Sequence, residues 1–179
     1  WITENISYDI KAFLREDSKA GQLDYAIEKK KAICGGYAAL VKYFCDAFGI
    51  ENEIILGFGR TGKRNVYISQ TNLRANHAWN VAKINGTWRL LDATWAAGSV
   101  DDSDEDNLVF KKKYQEVYYF TPPEKMILNH FPTKMQFQYT DKARNQNTFI
   151  RSPLFLSDAL GPYFSTVYPD MALIKAKVG

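Results

Sequence analysis

Residues 77–94 read HAWNVAKINGTWRLLDAT. Two apolar-rich stretches, 77–84 and 87–94, flank Asn85-Gly86. Asn-Gly between such stretches is the strongest short signal for a β-hairpin, because both residues of the tight turn need positive φ. That turn fixes the register. Ile84 is expected opposite Thr87, which puts Trp79 opposite Asp92 and His77 opposite Thr94. Side chains two apart share a face, so 77, 79 and 81 share theirs with 90, 92 and 94. His77 and Asp92 become diagonal neighbours, roughly 7–8 Å apart at Cα, within reach of a His–carboxylate hydrogen bond. A one-residue slip would put them on opposite faces.

Upstream, residues 29–40 read KKKAICGGYAAL. From Cys34 to Phe48 apolar residues recur at spacings of three and four (Ala38, Val41, Cys45, Phe48), which predicts a core-facing helix stopped by Gly49. Cys34 stands where that helix begins. Unsatisfied N–H groups and the helix dipole favour an anion there, so a thiolate is stabilised. Lys29, Lys30 and Lys31 add positive potential, and Gly35 and Gly36 are expected to let a substrate backbone approach the sulfur. A nucleophilic thiol needs a base, and an orienting acid for the base. The hairpin offers His77 and Asp92 in those roles.

Elsewhere, WITENISYDI opens the chain as a helical turn running into an extended stretch, and 22–31 reads as a short helix. Residues 51–58 read as a strand. A polar loop spans 60–76, with a short strand at Val66–Ser69 and the cations Arg60, Lys63, Arg64 and Arg74; it is expected to border the cleft and favour acidic or carbohydrate-bearing partners. Thr121-Pro-Pro-Glu124 reads as a helix start capped by Thr121. Helices first and antiparallel strands after make the fold class α+β, without alternating βαβ units.

The 179 residues suffice for one domain with a sizeable core, and 15% aromatic content predicts an aromatic-rich core or cleft. A net charge of +3, without a basic stripe, argues against nucleic acid. No apolar run is long enough to span a bilayer. Opening on Trp1, the chain reads as cut from a longer one. Two cysteines on one helix, about 16 Å apart, do not form a disulfide. Cys45 is read as a core residue. With two histidines in the chain, no zinc spacing arises. The acidic run at 101–106 lacks the glycine and terminal glutamate of a calcium loop and reads as solvated, so neither metal nor cofactor is expected. His130 reads as structural, and Trp79, Trp88 and Trp95 as core and cleft walls.

ICGGYAAL, NHAWNVAKINGTWRLLDATW and the spacing between them resemble the transglutaminase-like superfamily. The match to that core runs from Ala32 to Trp95, and WITENISYD resembles the segment preceding it. YYFTPPEKMILNHFP at 118–132 is similar to the kyphoscoliosis peptidase-like branch. The resemblance implies a papain-like core with the catalytic cysteine at a helix N-terminus, packed on an antiparallel sheet. Residues 1–117 are expected to form the catalytic core and 118–179 a C-terminal extension of the same domain, serving as a lid over the cleft or as further sheet. Cys34 becomes the nucleophile, His77 the base and Asp92 the orienting acid. The chemistry implied is attack on an amide carbonyl through an acyl-thioester, with water as acceptor in a peptidase or amidase, or a lysine amine in a crosslinking transglutaminase. A silent binding scaffold using the same cleft is a third reading. The Cys34 N–H is expected as first oxyanion donor, with Gln22, Tyr25 and Trp79 as candidates for the second and Tyr37 beside the site. The expected partner is a protein or peptide substrate, of cell-wall or cytoskeletal kind, acted on by a monomer. The compartment is exported or cell-surface if the source is bacterial and cytoplasmic if it is eukaryotic.

Overall fold

The Asn85-Gly86 turn holds φ of +50° and +78°, as a two-residue hairpin requires. Ile84 pairs with Thr87 and the ladder runs back to Asn80 opposite Leu91. There it stops. The structure, a computed structural model, describes residues 1–60, 75–104 and 106–152. The short strand at 66–69 and the cations Lys63, Arg64 and Arg74 lie outside the described residues.

The chain begins with α1 (Ile2–Asn5), β1 (Ser7–Tyr8) and α2 (Ile10–Leu14), the last capped by the Asp9 carboxylate on the Ala12 N–H at 3.0 Å. A 3-10 turn at Ser18–Gly21 precedes α3 (Leu23–Lys29). That helix is shorter than the 22–31 expected from sequence. Lys30 turns left-handed at φ +53°, and β2 (Lys31–Ala32) pairs parallel with β1. The chain then enters α4 (Cys34–Ala47) at the cysteine, and Gly49 at φ +66° follows its end.

A five-stranded antiparallel sheet carries the rest. Its strands are β3 (Asn52–Gly59), β4 (His77–Ile84), β5 (Thr87–Leu91), β8 (Tyr119–Thr121) and β9 (His130–Pro132), in the order β8-β5-β4-β3-β9. Between β5 and β8 lie α5 (Ala93–Ala97) and a hairpin of β6 (Gly98–Asp101) with β7 (Val109–Lys112). Residues from Tyr119 onward therefore add a strand at each edge of the three-stranded unit β5-β4-β3. Thr121 does not cap the following helix, α6 (Pro123–Met126). It closes β8 and donates its hydroxyl to the Val117 carbonyl at 2.6 Å, while Pro122 takes the cap position.

The sheet has different neighbours on its two faces. α4 lies on the face bearing Ala78 and Asn80, where the Asn80 amide donates to the Ala38 carbonyl at 3.0 Å inside the core. Tyr37 and Leu40 of α4 pack with Ile6, Ala26, Ala32 and Ala97. On the other face Ile55, Trp79, Val81 and Leu90 meet Met126. Each large side chain so buried contributes about 1.5–3 kcal/mol. α4 is thereby held with its N-terminus beside the start of β4.

Two glycines set that approach. A Cβ on Gly36 would lie 2.7 Å from the Ala32 Cβ and 2.8 Å from the Ala20 carbonyl oxygen; one on Gly35 would lie 3.2 Å from Gly21. The space they clear is filled by the protein's own turn and helix, so their role here is close packing rather than the approach of a substrate.

Candidate active site

Helix α4 is preceded by Ile33, whose side chain offers no capping oxygen. The Gly36 and Tyr37 N–H groups turn back to the Ile33 carbonyl at 2.9 and 3.3 Å. The N–H groups of Cys34 and Gly35 have no backbone acceptor among the described residues. A Ser or Asp at the cap would occupy such donors; isoleucine leaves them for an anion.

The Cys34 thiol sits beside the His77 side chain and the Ala78 N–H, the two groups that favour its anion. Burial pushes this thiol up, yet the hydrogen bond and charge of His77 and the Ala78 N–H outweigh it, and the net shift is down. Lys29 pairs with Glu28 at 2.9 Å and Lys30 lies over the Trp1 ring, and neither is among the groups that move the thiol.

His77 Nε2 lies 2.6 Å from Asp92 Oδ2, and both residues are buried. Nδ1 is the ring nitrogen left for the sulfur. Desolvation opposes charge on the ring, but the Asp92 carboxylate, followed by Cys34, raises its affinity for a proton well above the ordinary imidazole value. Asp92 goes the other way: burial penalises the carboxylate, and His77 and His130 more than compensate. The pair is therefore imidazolium and carboxylate.

Asp92 reaches this position differently from the hairpin count. Its strand ends at Leu91, and Asp92 is the N-cap of α5, with Oδ1 accepting from the Thr94 and Trp95 N–H groups at 2.8 and 3.0 Å. Stopping the ladder frees the residue to cap. Its Oδ2 still points to the side where alternation put it.

Several expected neighbours are otherwise engaged. Tyr37 is fully buried and donates its hydroxyl to the Ile6 carbonyl at 3.0 Å; Tyr25 donates to Asp9 at 2.8 Å. Neither hydroxyl hydrogen is available to an oxyanion. Gln22 is exposed at the start of α3. Trp79 is buried, and its ring stacks on His77 with centroids 5.9 Å apart; its indole N–H has no acceptor among the described residues. Trp95 covers the imidazole more closely, at 5.0 Å and 24°. Cys45 is half-buried rather than a core residue, and burial and Asp46 raise its thiol.

Sequence reading missed two residues here. Tyr8 lies in the strand paired with β2, opposite Ala32, just before the cysteine. Burial and then the charge of Cys34 keep its phenol protonated. His130, read as structural, places Nε2 2.9 Å from Asp92 Oδ2 and Nδ1 2.7 Å from the Asn129 side-chain amide. Its position follows from the sheet: His77 pairs across to Gly57, and Gly59 pairs to His130, so both imidazoles stand on one face. Gly59 makes room, since a Cβ there would lie 3.0 Å from the His77 ring. The LGFG sequence at 56–59 was the available signal, but nothing local announces which strand pairs beyond it.

His77, Asp92 and His130 bring ligand-type atoms within 4.8 Å of one another. Contacts of 2.6 and 2.9 Å onto one oxygen are hydrogen-bond lengths, and each imidazole nitrogen there already has its carboxylate partner. The cluster is read as a hydrogen-bonded relay.

A family model described as the transglutaminase-like superfamily matches residues 1–93. The kyphoscoliosis peptidases of Mus musculus and Homo sapiens are each 27% identical over all 179 residues, and the chain spans 26% of their length. A solved transglutaminase structure aligns over 52% of this chain and 23% of its own, at 17% identity and a TM-score of 0.41. The chain belongs to the transglutaminase-like superfamily, with kyphoscoliosis peptidases among its relatives over its full length.

Proposed function

We propose that the chain is a cysteine enzyme acting on amide bonds, with Cys34 as nucleophile, His77 as acid–base and Asp92 as its orienting partner, and that it hydrolyses a protein or peptide substrate. The observation that carries this reading is the 2.6 Å His77–Asp92 bond, buried from water, with the Cys34 thiol at the start of α4 held down by that same imidazole.

In this reading the Cys34 thiolate attacks the carbonyl carbon, an S–C bond forms, and the carbonyl electron pair moves to oxygen. The Cys34 N–H at the helix start is the first donor to that oxygen. His77, protonated at Nδ1, gives its proton to the leaving nitrogen as the C–N bond breaks. The acyl-thioester is then attacked by water, whose proton returns to His77, and the carboxylic acid leaves with the thiolate restored. Asp92 holds the imidazole tautomer throughout.

The test is mass spectrometry of the chain with peptide amides, with and without a primary amine. Acyl adducts on Cys34 and cleaved peptide support hydrolysis. Incorporated amine supports transamidation instead. A Cys34 that alkylates as an ordinary thiol, indifferent to His77→Ala, overturns the enzyme reading and leaves the cleft as a binding surface.

A further inference from the structure

We propose that His130 is a positioning residue of this site: a neutral imidazole that donates its Nε2–H to the Asp92 oxygen shared with His77, fixing the carboxylate and dividing its charge between two imidazoles. The inference rests on the Cys34–His77–Asp92 reading above and extends it by a fourth member.

Among the described residues the Asp92 carboxylate has four donors. Oδ1 takes the Thr94 and Trp95 N–H groups, and Oδ2 takes His77 at 2.6 Å and His130 at 2.9 Å. The backbone pair alone would leave the carboxylate free to pivot about them. The two rings on Oδ2 approach from different strands, β4 and β9, and remove that freedom. His130 is itself held: it is 1% exposed, its ring is 4.2 Å from that of Trp95 and 5.0 Å from that of Trp79, and Nδ1 lies against the Asn129 amide.

Charge decides the tautomer. His77 has both Cys34 and Asp92 as anionic partners, whereas His130 has Asp92 alone and feels the charge of His77. Desolvation and that repulsion push His130 down, so it stays neutral. A neutral ring that donates at Nε2 accepts at Nδ1; the structure sets Asn129 Oδ1 against Nδ1 at 2.7 Å, and since amide oxygen and nitrogen are told apart only by their partners, this tautomer assigns the amide the half-turned orientation with its NH2 on that nitrogen. The titratable groups facing the pair are Cys34, Asp92 and Tyr118, whose buried ring lies 6.1 Å from that of His130; Tyr8 and Tyr37 stand further back and feel the charge of Asp92.

The consequence is directional. The Nε2–H dipole of His130 stabilises the Asp92 anion and stands positive-end-on toward His77, so it makes the His77 proton easier to release. Without it, His77 holds its proton more tightly and passes it less readily to a leaving group.

The chain holds two histidines, so imidazole NMR reads both directly. In the unsubstituted chain one ring is expected to titrate far above the ordinary histidine value. The other should stay neutral and Nε2-protonated through pH 5. In His130→Phe, which keeps a ring but no donor, the His77 titration is expected to move up by about one unit and acylation to slow roughly tenfold. His130→Gln, which restores an N–H donor, is expected to return both toward the starting values. A doubly protonated His130 at neutral pH overturns the proposal, as does a His77 titration unmoved by a folded His130→Phe. The spectrum of the unsubstituted chain decides the tautomer even where a variant does not fold. If Cys34 is unreactive while both rings titrate as described, the enzyme reading fails and the His130 assignment stands.

Discussion

The Asp92 oxygen that faces His77 at 2.6 Å is not the oxygen that caps α5. One side chain thus orients the base and starts a helix, and two substitutions separate these roles. Asp92→Asn keeps a capping oxygen but turns an NH2 toward imidazole nitrogens that need an acceptor. It is expected to fold and to lose roughly 10³–10⁴-fold in kcat. Asp92→Ala also loses the cap, at about 1 kcal/mol, and strands two buried rings at about 1–3 kcal/mol more. Steady-state kinetics beside thermal melts distinguish the two. Equal melting temperatures for both variants would show that the cap contributes nothing.

The pH dependence follows from opposite shifts. Cys34 is held below its ordinary value of 9.0 by His77, and His77 is raised to about 10 by Asp92. Iodoacetamide alkylation is expected to begin its rise below the ordinary thiol range, and the acylation rate to fall again only in strong alkali, as His77 loses its proton. Removing His77 leaves burial as the main force on the thiol, so the alkylation limb in His77→Ala moves above the ordinary value. For stability, the Asp92 contribution is whole above its ordinary value of 3.8 and lost as pH falls through its depressed folded value. The His77 contribution is whole below about 6.5 and lost as pH rises through its raised folded value. Melting temperatures across pH check both limbs.

Gly36 tests how α4 is docked. A methyl group there meets the Ala32 methyl at 2.7 Å and the Ala20 carbonyl at 2.8 Å, both on well-packed backbone. Gly36→Ala is expected to cost about 1–3 kcal/mol by overpacking, or roughly 2–12 °C in Tm for a chain of this size. Gly35→Ala, whose nearest contacts are 3.2 Å, is expected to cost less. Because the shift moves the start of α4, alkylation of Cys34 by iodoacetamide should slow in Gly36→Ala before the protein unfolds. An unchanged Tm would show that the turn at 18–21 yields to the methyl.

The parts of this site written in local sequence were the legible ones. Asn85-Gly86 set a register that the structure keeps to its last pair, and the helix start at Cys34 was visible because the apolar period begins there. His77 and Asp92 meet because alternation carries the aspartate to the right side even after its strand has ended. His130 was not legible: its place depends on β9 joining β3, a pairing between residues some seventy apart that no local pattern specifies. Thr121 failed for a related reason. Its cap signature was genuine, but strand pairing took the residue first and left the cap to Pro122. Residue type misled at Arg60, where a cation in a polar stretch was read as a cleft-side charge.

Arg60 instead closes the end of a helix. It is 5% exposed, and its guanidinium donates to the carbonyls of Phe149 at 3.1 Å and Ser152 at 2.9 Å, and of Leu128 at 3.3 Å. The first two lie at the C-terminus of α7 (Gln146–Arg151), where carbonyls lack intrahelical donors and the dipole favours a cation. The ring of Phe149 sits 4.9 Å from the guanidinium carbon and is itself buried against Phe58 and Phe131. Arg60→Leu removes the donors but keeps apolar bulk, so it strands these carbonyls, and that of Ile150 at 3.4 Å, at a cost of about 2–4 kcal/mol. Arg60→Lys keeps the charge without the fork and is expected to recover only part of that. Because the Arg60 guanidinium is bonded to carbonyls of Leu128 and the end of α7, the pH profile of Cys34 alkylation should be the same in both variants as in the parent chain, while Tm falls by roughly 4–16 °C in Arg60→Leu. A changed alkylation profile at unchanged Tm would return Arg60 to the cleft.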